Sequence, residues 1–590
     1  MFRDFVLSQG LTPGISRTVA FTYDRVGNLK SYNDGTTSAT YDYDDAYKKT
    51  SETVNYGLFQ KSHAYAFYRN GIKKTFTDPD NITYTFIYDA NNQLTGIQIP
   101  GQGSITYTSY TWNQPASIAL PGGSKKDYVY DQLMRIKQIT VKDPAQNIIM
   151  NYQYTHDKMD NIIAKQTEHG NYQYSYDDLY RLTNETNPTN GTSFTYDPVG
   201  NRLTSSDITG TWTYNANNEL QTYDNITYEY DANGNTTKKN NGTSVTNYIY
   251  DIENRLVQVI DGSGSVIANY YYDPFGRRLW KEVGGTKTYF LYADEGLVGE
   301  CDSTGTVSKT YGYAPGSIWT TNTLFMRENN SYYFCQNDHL GTPQKLTATN
   351  GAVVWAATYM AFDNANVDTS SSVINNLRFA GQYNEQETGF HYNYHRYYNS
   401  GTGRYLTIDP IGFRGNDLYK DRWSSKVPKN YSSYYNPMVE MDLTPDSIGL
   451  EMEFNFYIYV ANNPINFLDP YGLLRYNHPP PRTVPPPFLV QLRLYCMEVC
   501  LIRNLGISGG AEQTRHTTGS KHYTGQAADI SYRMNPGLRN QRQRFLCCAL
   551  SCGFKCALVE GDHYHLQTVR CLNDSRGRLP TACECLGLKK

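Results

Sequence analysis

The chain reads as mainly β, a long shell built from repeats followed by a small α+β domain, and three observations predict this. Tyrosine is in excess, 55 residues against 22 Phe, with 47 Gly and only 18% charged residues over 590 positions. Such a polar, aromatic, turn-rich composition favours extended strands over packed helices and excludes a disordered chain. A phrase centred on Tyr-Asp recurs through the first half. The last 118 residues then change character, holding nine of the eleven cysteines and five of the eleven histidines. A chain this long exceeds a single hydrophobic core, so a division into domains is expected.

The repeats justify the first element. Thr22-Tyr23-Asp24-Arg-Val-Gly-Asn-Leu, Ile87-Tyr88-Asp89, Ser175-Tyr176-Asp177-Asp-Leu-Tyr-Arg-Leu, Thr195-Tyr196-Asp197-Pro-Val-Gly-Asn-Arg-Leu and Tyr271-Tyr272-Asp273-Pro-Phe-Gly-Arg-Arg-Leu are versions of one unit, with a period of about 16 to 22 residues from Tyr176 onward. Each unit predicts a strand with alternating aromatics, an Asp-x-x-Gly-Asn turn and a second strand. Within one unit the Tyr is read as packing between neighbours and the Asp as capping its turn.

These units resemble the YD repeats of the Rhs family. The resemblance extends through Asn337-Asp338-His339, Arg378-Phe-Ala-Gly-Gln-Tyr, Tyr394-His-Arg396-Tyr-Tyr-Asn, Gly403-Arg404-Tyr-Leu-Thr-Ile-Asp409-Pro-Ile-Gly412 and Asn462-Asn-Pro464-Ile-Asn-Phe-Leu-Asp469-Pro-Tyr-Gly472-Leu473. It implies a YD-repeat β-cocoon over 1–336 and an Rhs-associated core over 337–473, which together enclose a C-terminal toxin. It also implies that the paired Asp-Pro-x-Gly motifs, at Asp409 and Asp469, form an aspartyl self-cleavage site that releases the toxin near Leu473. The chemistry is sound in its own right, since two adjoining carboxylates share a proton and so supply one acid and one base. An insertion at 416–453 separates the motifs, and the two aspartates meet only if it loops out.

After Leu473 the string Asn477-His-Pro-Pro-Pro-Arg-Thr-Val-Pro-Pro-Pro487 predicts a stiff linker over 474–487. In the domain that follows, 488–590, apolar spacing predicts helices over 488–505 and 540–554, and alternation predicts a strand over 556–569. His522 and Asp529, followed by His563 and His565 on one strand, supply ligands for tetrahedral Zn2+ with a position left for water, which Asp562 or Glu560 would deprotonate. Ser520-Lys-His522-Tyr-Thr-Gly-Gln-Ala-Ala-Asp529 with Glu560-Gly-Asp562-His563-Tyr-His565 is similar to the zinc D-alanyl-D-alanine peptidases and endolysin endopeptidases. That resemblance implies a zinc metallopeptidase acting on peptidoglycan, with His522, Asp529 and His565 as ligands, Asp562 as base, Arg515 steadying the oxyanion and His563 as support. The Glu560-x-x-His563 spacing leaves base and ligand open to a shift by two residues. The cysteines read as disulfide staples for an oxidising compartment.

Charge divides the chain in the same place. Residues 473–590 hold sixteen Lys and Arg against seven Asp and Glu, a net of +9, and the residues before them carry −12. With no cationic and apolar leader at the start and no apolar run of about 18 residues, the expectation is synthesis in a bacterial cytoplasm, secretion without a classical signal and action in a target periplasm. Expected partners are peptidoglycan, an immunity protein and a secretion machine, with no nucleic acid and no membrane span. One alternative is a nucleic-acid-directed toxin, for which the basic tail would bind phosphates, although the zinc-deaminase signature of His-x-Glu with Pro-Cys-x-x-Cys is absent. The other is a non-enzymatic cell-surface protein.

Overall fold

The computed structural model describes residues 16–362, 365–410 and 455–473, and the backbone of strands Arg3–Ser8, Ala527–Ser531, Cys556–Glu560 and His563–Gln567. Two compact units divide the chain, 1–475 and 476–590.

The first unit is built from antiparallel hairpins. One sheet of 19 strands runs from Arg3–Ser8 to Arg202–Ser205, a second of 16 strands from Thr213–Tyr214 to Ala365–Val367, and a third of four from Tyr383–Asn384 to Arg404–Tyr405. Strands pair with their neighbours in sequence, so the wall grows one hairpin at a time. Among the described residues the sole helical element is a short 3-10 turn at Val460–Asn462. The mainly β expectation is therefore borne out.

The sequence explains each hairpin. In the Asp273-Pro-Phe-Gly-Arg277 turn, Oδ1 of Asp273 accepts the N–H groups of Phe275 and Arg277, both at 2.9 Å, while Oδ2 accepts Arg277 Nε at 2.6 Å. Asp197 repeats the pattern with Val199 and Asn201. The side chain thus pairs amides that the turn leaves over, as an Asx motif does. Tyr precedes Asp at a bulge, where Tyr272 pairs with Arg278 and Tyr196 with Arg202.

The tyrosine hydroxyl has a task beyond packing. Tyr196 Oη donates to Leu182 O at 2.7 Å, Tyr176 to Ile162 O at 2.7 Å, Tyr272 to Leu256 O at 2.6 Å and Tyr292 to Arg278 O at 2.9 Å, each reaching the preceding hairpin. Phenylalanine cannot make that strap, which is why tyrosine dominates. The strands bury alternate residues into several apolar clusters, one of which includes Tyr32, Ile105, Val259 and Leu346 and another Ile139, Val141 and Met150.

In the second unit the strand expected over 556–569 is two strands, Cys556–Glu560 and His563–Gln567, paired antiparallel, with Ala527–Ser531 on the other side of His563–Gln567. The expected linker at 474–487 and the helices over 488–505 and 540–554 lie outside the described residues.

Candidate self-cleavage site

Residues 375–410 and 455–473 close the first unit, and here the two Asp-Pro motifs come together. Their meeting point is Arg396. Its Nη2 lies 2.9 Å from Asp409 Oδ2 and 3.4 Å from Asp469 Oδ2, with all three side chains buried. The long insertion therefore does not keep the aspartates apart. Two carboxylates around one guanidinium leave one negative charge over, an arrangement that suits a shared proton.

Other groups fix this geometry. Tyr405 Oη donates to Asp469 Oδ2 at 2.7 Å, and the Arg396 guanidinium stacks 3.5 Å from the Tyr405 ring centroid. Burial raises the Tyr405 hydroxyl well above its usual range, with the charge of Asp469 adding to the effect, so it serves as a donor. Asn393 Nδ2 donates to Asp469 O at 2.7 Å and to Tyr405 Oη at 2.9 Å. Arg396 also donates from Nη1 to Phe456 O at 2.8 Å and from Nε to Gly472 O. Gly472, at φ +64°, has Asn393 O only 2.5 Å from where a Cβ would stand, so both backbone angle and space require glycine.

The carboxylate of Asp469 sits on the chain it is expected to act upon. Leu473 N donates to Asp469 Oδ1 at 2.9 Å. A cavity of about 10 Å³, room for one water, is lined by His395, Arg396, Tyr397 and Thr407. Burial pushes His395 down to about 3, with Arg396 and Arg255 acting in the same sense, so this imidazole is a poor base at neutral pH. Sequence reasoning named Asp409 and Asp469 but gave no role to Arg396, Tyr405 or Asn393, although the Tyr394-to-Asn399 motif that contains Arg396 was visible.

The tail residues are placed by backbone alone. Asp529 is the direct cross-strand partner of His565, and His563 stands opposite Ser531 and Glu560. His522, Arg515 and Asp562 lie outside the described residues, as do the side chains of the tail cysteines expected to form disulfides. Among the described residues no cluster of three or more His, Cys, Asp or Glu is arranged to hold a metal. Cys301 and Cys335 are buried free thiols, each pushed up to about 12 by desolvation and hence unreactive. Among the described residues no helix is long and apolar enough to cross a membrane.

Comparison with known proteins bears on the family and on the expected activity. The chain is 31% identical over 281 residues to the double-stranded DNA deaminase toxin A of Burkholderia cenocepacia, a match covering 42% of this chain and 19% of that protein. It is 28% identical over 310 residues to the tRNA nuclease WapA of Bacillus subtilis, covering 50% of this chain and 12% of the relative. It is 27% identical over 242 residues to the probable deoxyribonuclease RhsA of Dickeya dadantii, covering 38% of this chain and 16% of that protein. The matched region thus spans less than a fifth of these relatives. Among solved structures, the Tc holotoxin pore of Photorhabdus luminescens superposes with a TM-score of 0.62 at 17% identity, over 79% of this chain and 25% of that one.

These relatives overturn the expected zinc metallopeptidase, and with it peptidoglycan as substrate and the exclusion of nucleic acid, because they are named for deaminase and nuclease activities. The physical reason is that ligand spacing specifies at most a metal, and a metal-activated water attacks phosphorus or carbon alike. For the first unit the comparisons agree with the repeats. The Teneurin YD-shell family model matches residues 11–178 and 130–435, and the chain belongs to that family.

Proposed function

We propose that this chain is a toxin carrier of the Rhs type, whose body frees its C-terminal segment by aspartyl self-cleavage near Leu473 and whose freed segment acts on nucleic acid. The observation that carries the release step is the convergence of buried Asp409 and Asp469 on Arg396, with Asp469 bonded to the Leu473 amide. One carboxylate removes a proton from water as the water oxygen bonds to the peptide carbonyl carbon. The protonated partner then gives its proton to the leaving nitrogen as the C–N bond breaks, so the two side chains exchange roles and the peptide gains one water.

Two facts support a nucleic-acid target. The relatives are named for acting on DNA or tRNA, and the tail carries a net +9, which suits phosphate. The deaminase signature is absent, so phosphodiester cleavage is the favoured chemistry. The opposed register of Asp529 and His565 fits two of the three ligands, His522, Asp529 and His565, that would hold Zn2+. Bound there, zinc would supply a water of lowered pKa. The producing cell is expected to hold an immunity protein, and delivery to a competitor requires secretion.

Freshly expressed protein is expected to show a C-terminal fragment of about 118 residues on a gel. Incubated with plasmid DNA, tRNA and peptidoglycan in parallel, it should degrade a nucleic acid and lose that activity with chelator. Release of muropeptides with both nucleic acids intact would reverse the assignment of the target.

A further inference from the structure

The reacting turn is a modified repeat turn, and the modification lies in one residue. In a recurring form of the wall turn, an Asn or Arg as the fifth residue counted from the turn Asp covers its Oδ2. Asn28 covers Asp24 at 2.8 Å, Arg181 covers Asp177 at 2.7 Å, Asn201 covers Asp197 at 2.9 Å, Asn235 covers Asp231 at 2.9 Å and Arg277 covers Asp273 at 2.6 Å. Asp469-Pro-Tyr-Gly-Leu473 keeps the Asp-Pro-x-Gly frame of Asp197 and Asp273. It keeps the positive φ of its glycine, and it keeps the bond from the fifth residue's N–H to Oδ1. Its fifth residue, however, is leucine, which has no donor to give. Oδ2 is instead taken by Tyr405 Oη and faces Arg396.

The wall contains one turn that shows the same consequence. In Asp78-Pro-Asp-Asn-Ile82 the fifth residue is again apolar, and Asp78 Oδ2 accepts Tyr84 Oη at 3.1 Å and lies 4.0 Å from Arg327. Burial raises the Asp78 carboxyl above its usual range. That turn is closed as a hairpin, with Asp78 N donating to Ile82 O at 2.9 Å and Asn81 N to Asp78 O at 2.9 Å. In the closing segment Asp469 O is drawn off to Asn393 instead.

We infer that Leu473 is the positioning residue that converts a structural turn aspartate into a reacting one, by leaving Asp469 Oδ2 to Tyr405 and Arg396. This rests on the self-cleavage reading. Leu473→Asn has nearly the shape of leucine yet restores the cap seen at Asn201, so it should suppress cleavage. Leu473→Met offers no donor and should cleave as the parent does. Leu473→Gln is a polar control, because Gln93 at the same turn position after Asp89 sends its side-chain amide to Trp112 O at 2.9 Å.

The test follows the full-length chain made in a cell-free pulse, with the cleaved fraction read by gel and the new terminus by mass spectrometry. Leu473→Asn is expected to slow cleavage about tenfold or more, equivalent to about 1.4 kcal/mol, while Met and Gln stay within about threefold. The residual cleavage of Leu473→Asn should have the acid limb of its pH profile moved to lower pH, because an added donor favours the carboxylate. A wild-type chain that stays intact would overturn the self-cleavage reading itself. A cleaving wild type with Leu473→Asn cutting equally fast, or with all three variants equally blocked, would overturn the role given to Leu473 alone.

Discussion

In the wall, a polar side chain typically reaches one hairpin back, as Tyr196 does to Leu182 at 2.7 Å and Tyr176 to Ile162 at 2.7 Å. In the closing segment the ties cross most of the unit. Asn455 donates to Asn201 at 2.6 Å, Asn462 to Gly200 O at 2.8 Å and Tyr457 to Gly234 O at 2.9 Å, while Asn466 accepts Ile162 N at 2.8 Å. Within each sheet the wall is modular, with stability that adds up from neighbour to neighbour, and a smaller set of ties such as Lys73 to Glu295 at 2.7 Å joins the two sheets. The closing segment is cooperative, since its groups have partners only when the wall has already formed. This contrast teaches why the proposed self-cleavage would be placed in the closing segment: a dyad assembled from distant parts becomes active after folding and not before.

The largest expected effect tests the dyad. Asp469→Asn or Asp409→Asn removes an acid or base and should reduce cleavage by about 100-fold or more, read as intact chain on a gel. Persistence of the fragment in both variants would break the contrast, because cleavage would then not need the assembled segment. Next comes the buried pair of Arg278 and Glu385, both fully buried, which joins wall to closing segment. Glu385→Ala leaves a buried guanidinium without its carboxylate and should cost about 3–5 kcal/mol in denaturant unfolding.

Acid should separate the two regions more gently. Burial pushes His391 and His395 down to about 3 and His63 in the wall down to about 4, and it lowers His156 and His339 in the wall as well. The unfolded state takes up these protons first, so stability is full above the ordinary histidine value and falls as pH drops below about 6.5, by about 1.4 kcal/mol per unit for each of the first three groups. Hydrogen exchange at pH 5 should therefore rise most in residues 383–405, where two of these imidazoles lie four residues apart, and less in the wall, where they are spread over separate hairpins. Uniform exchange across both regions would count against the distinction. The smallest effect belongs to a single strap: Tyr196→Phe should cost only about 1 kcal/mol. A loss as large as that of Glu385→Ala would show that the wall is not modular.

The hairpin rhythm was legible in the sequence because its cause is local. An Asp and the amides it pairs lie within five residues, so the pattern is complete in each phrase. Asp409 and Asp469 were legible for the same reason, as Asp-Pro-x-Gly frames. Arg396, Tyr405 and Asn393 were not, since their partners lie up to 76 residues away and are chosen by tertiary packing. The tail shows a further limit. Spacing among His522, Asp529 and His565 describes ligands, and a target is chosen by the surface around them, which spacing does not encode.

The tyrosine strap has a consequence for how such bodies change in size. Because these hydroxyls find their carbonyls one hairpin back, the strap itself contains no ruler, and a hairpin spliced in or out leaves its neighbours with equivalent strap partners; ties between the two sheets, such as Tyr56 to Phe290 O at 2.9 Å and Lys73 to Glu295 at 2.7 Å, set the register instead. Copy number can drift. The closing segment cannot follow that drift freely, because Asn201, Gly200 and Gly234 are fixed addresses. New hairpins are therefore best tolerated where they displace neither those addresses nor the ties between the two sheets.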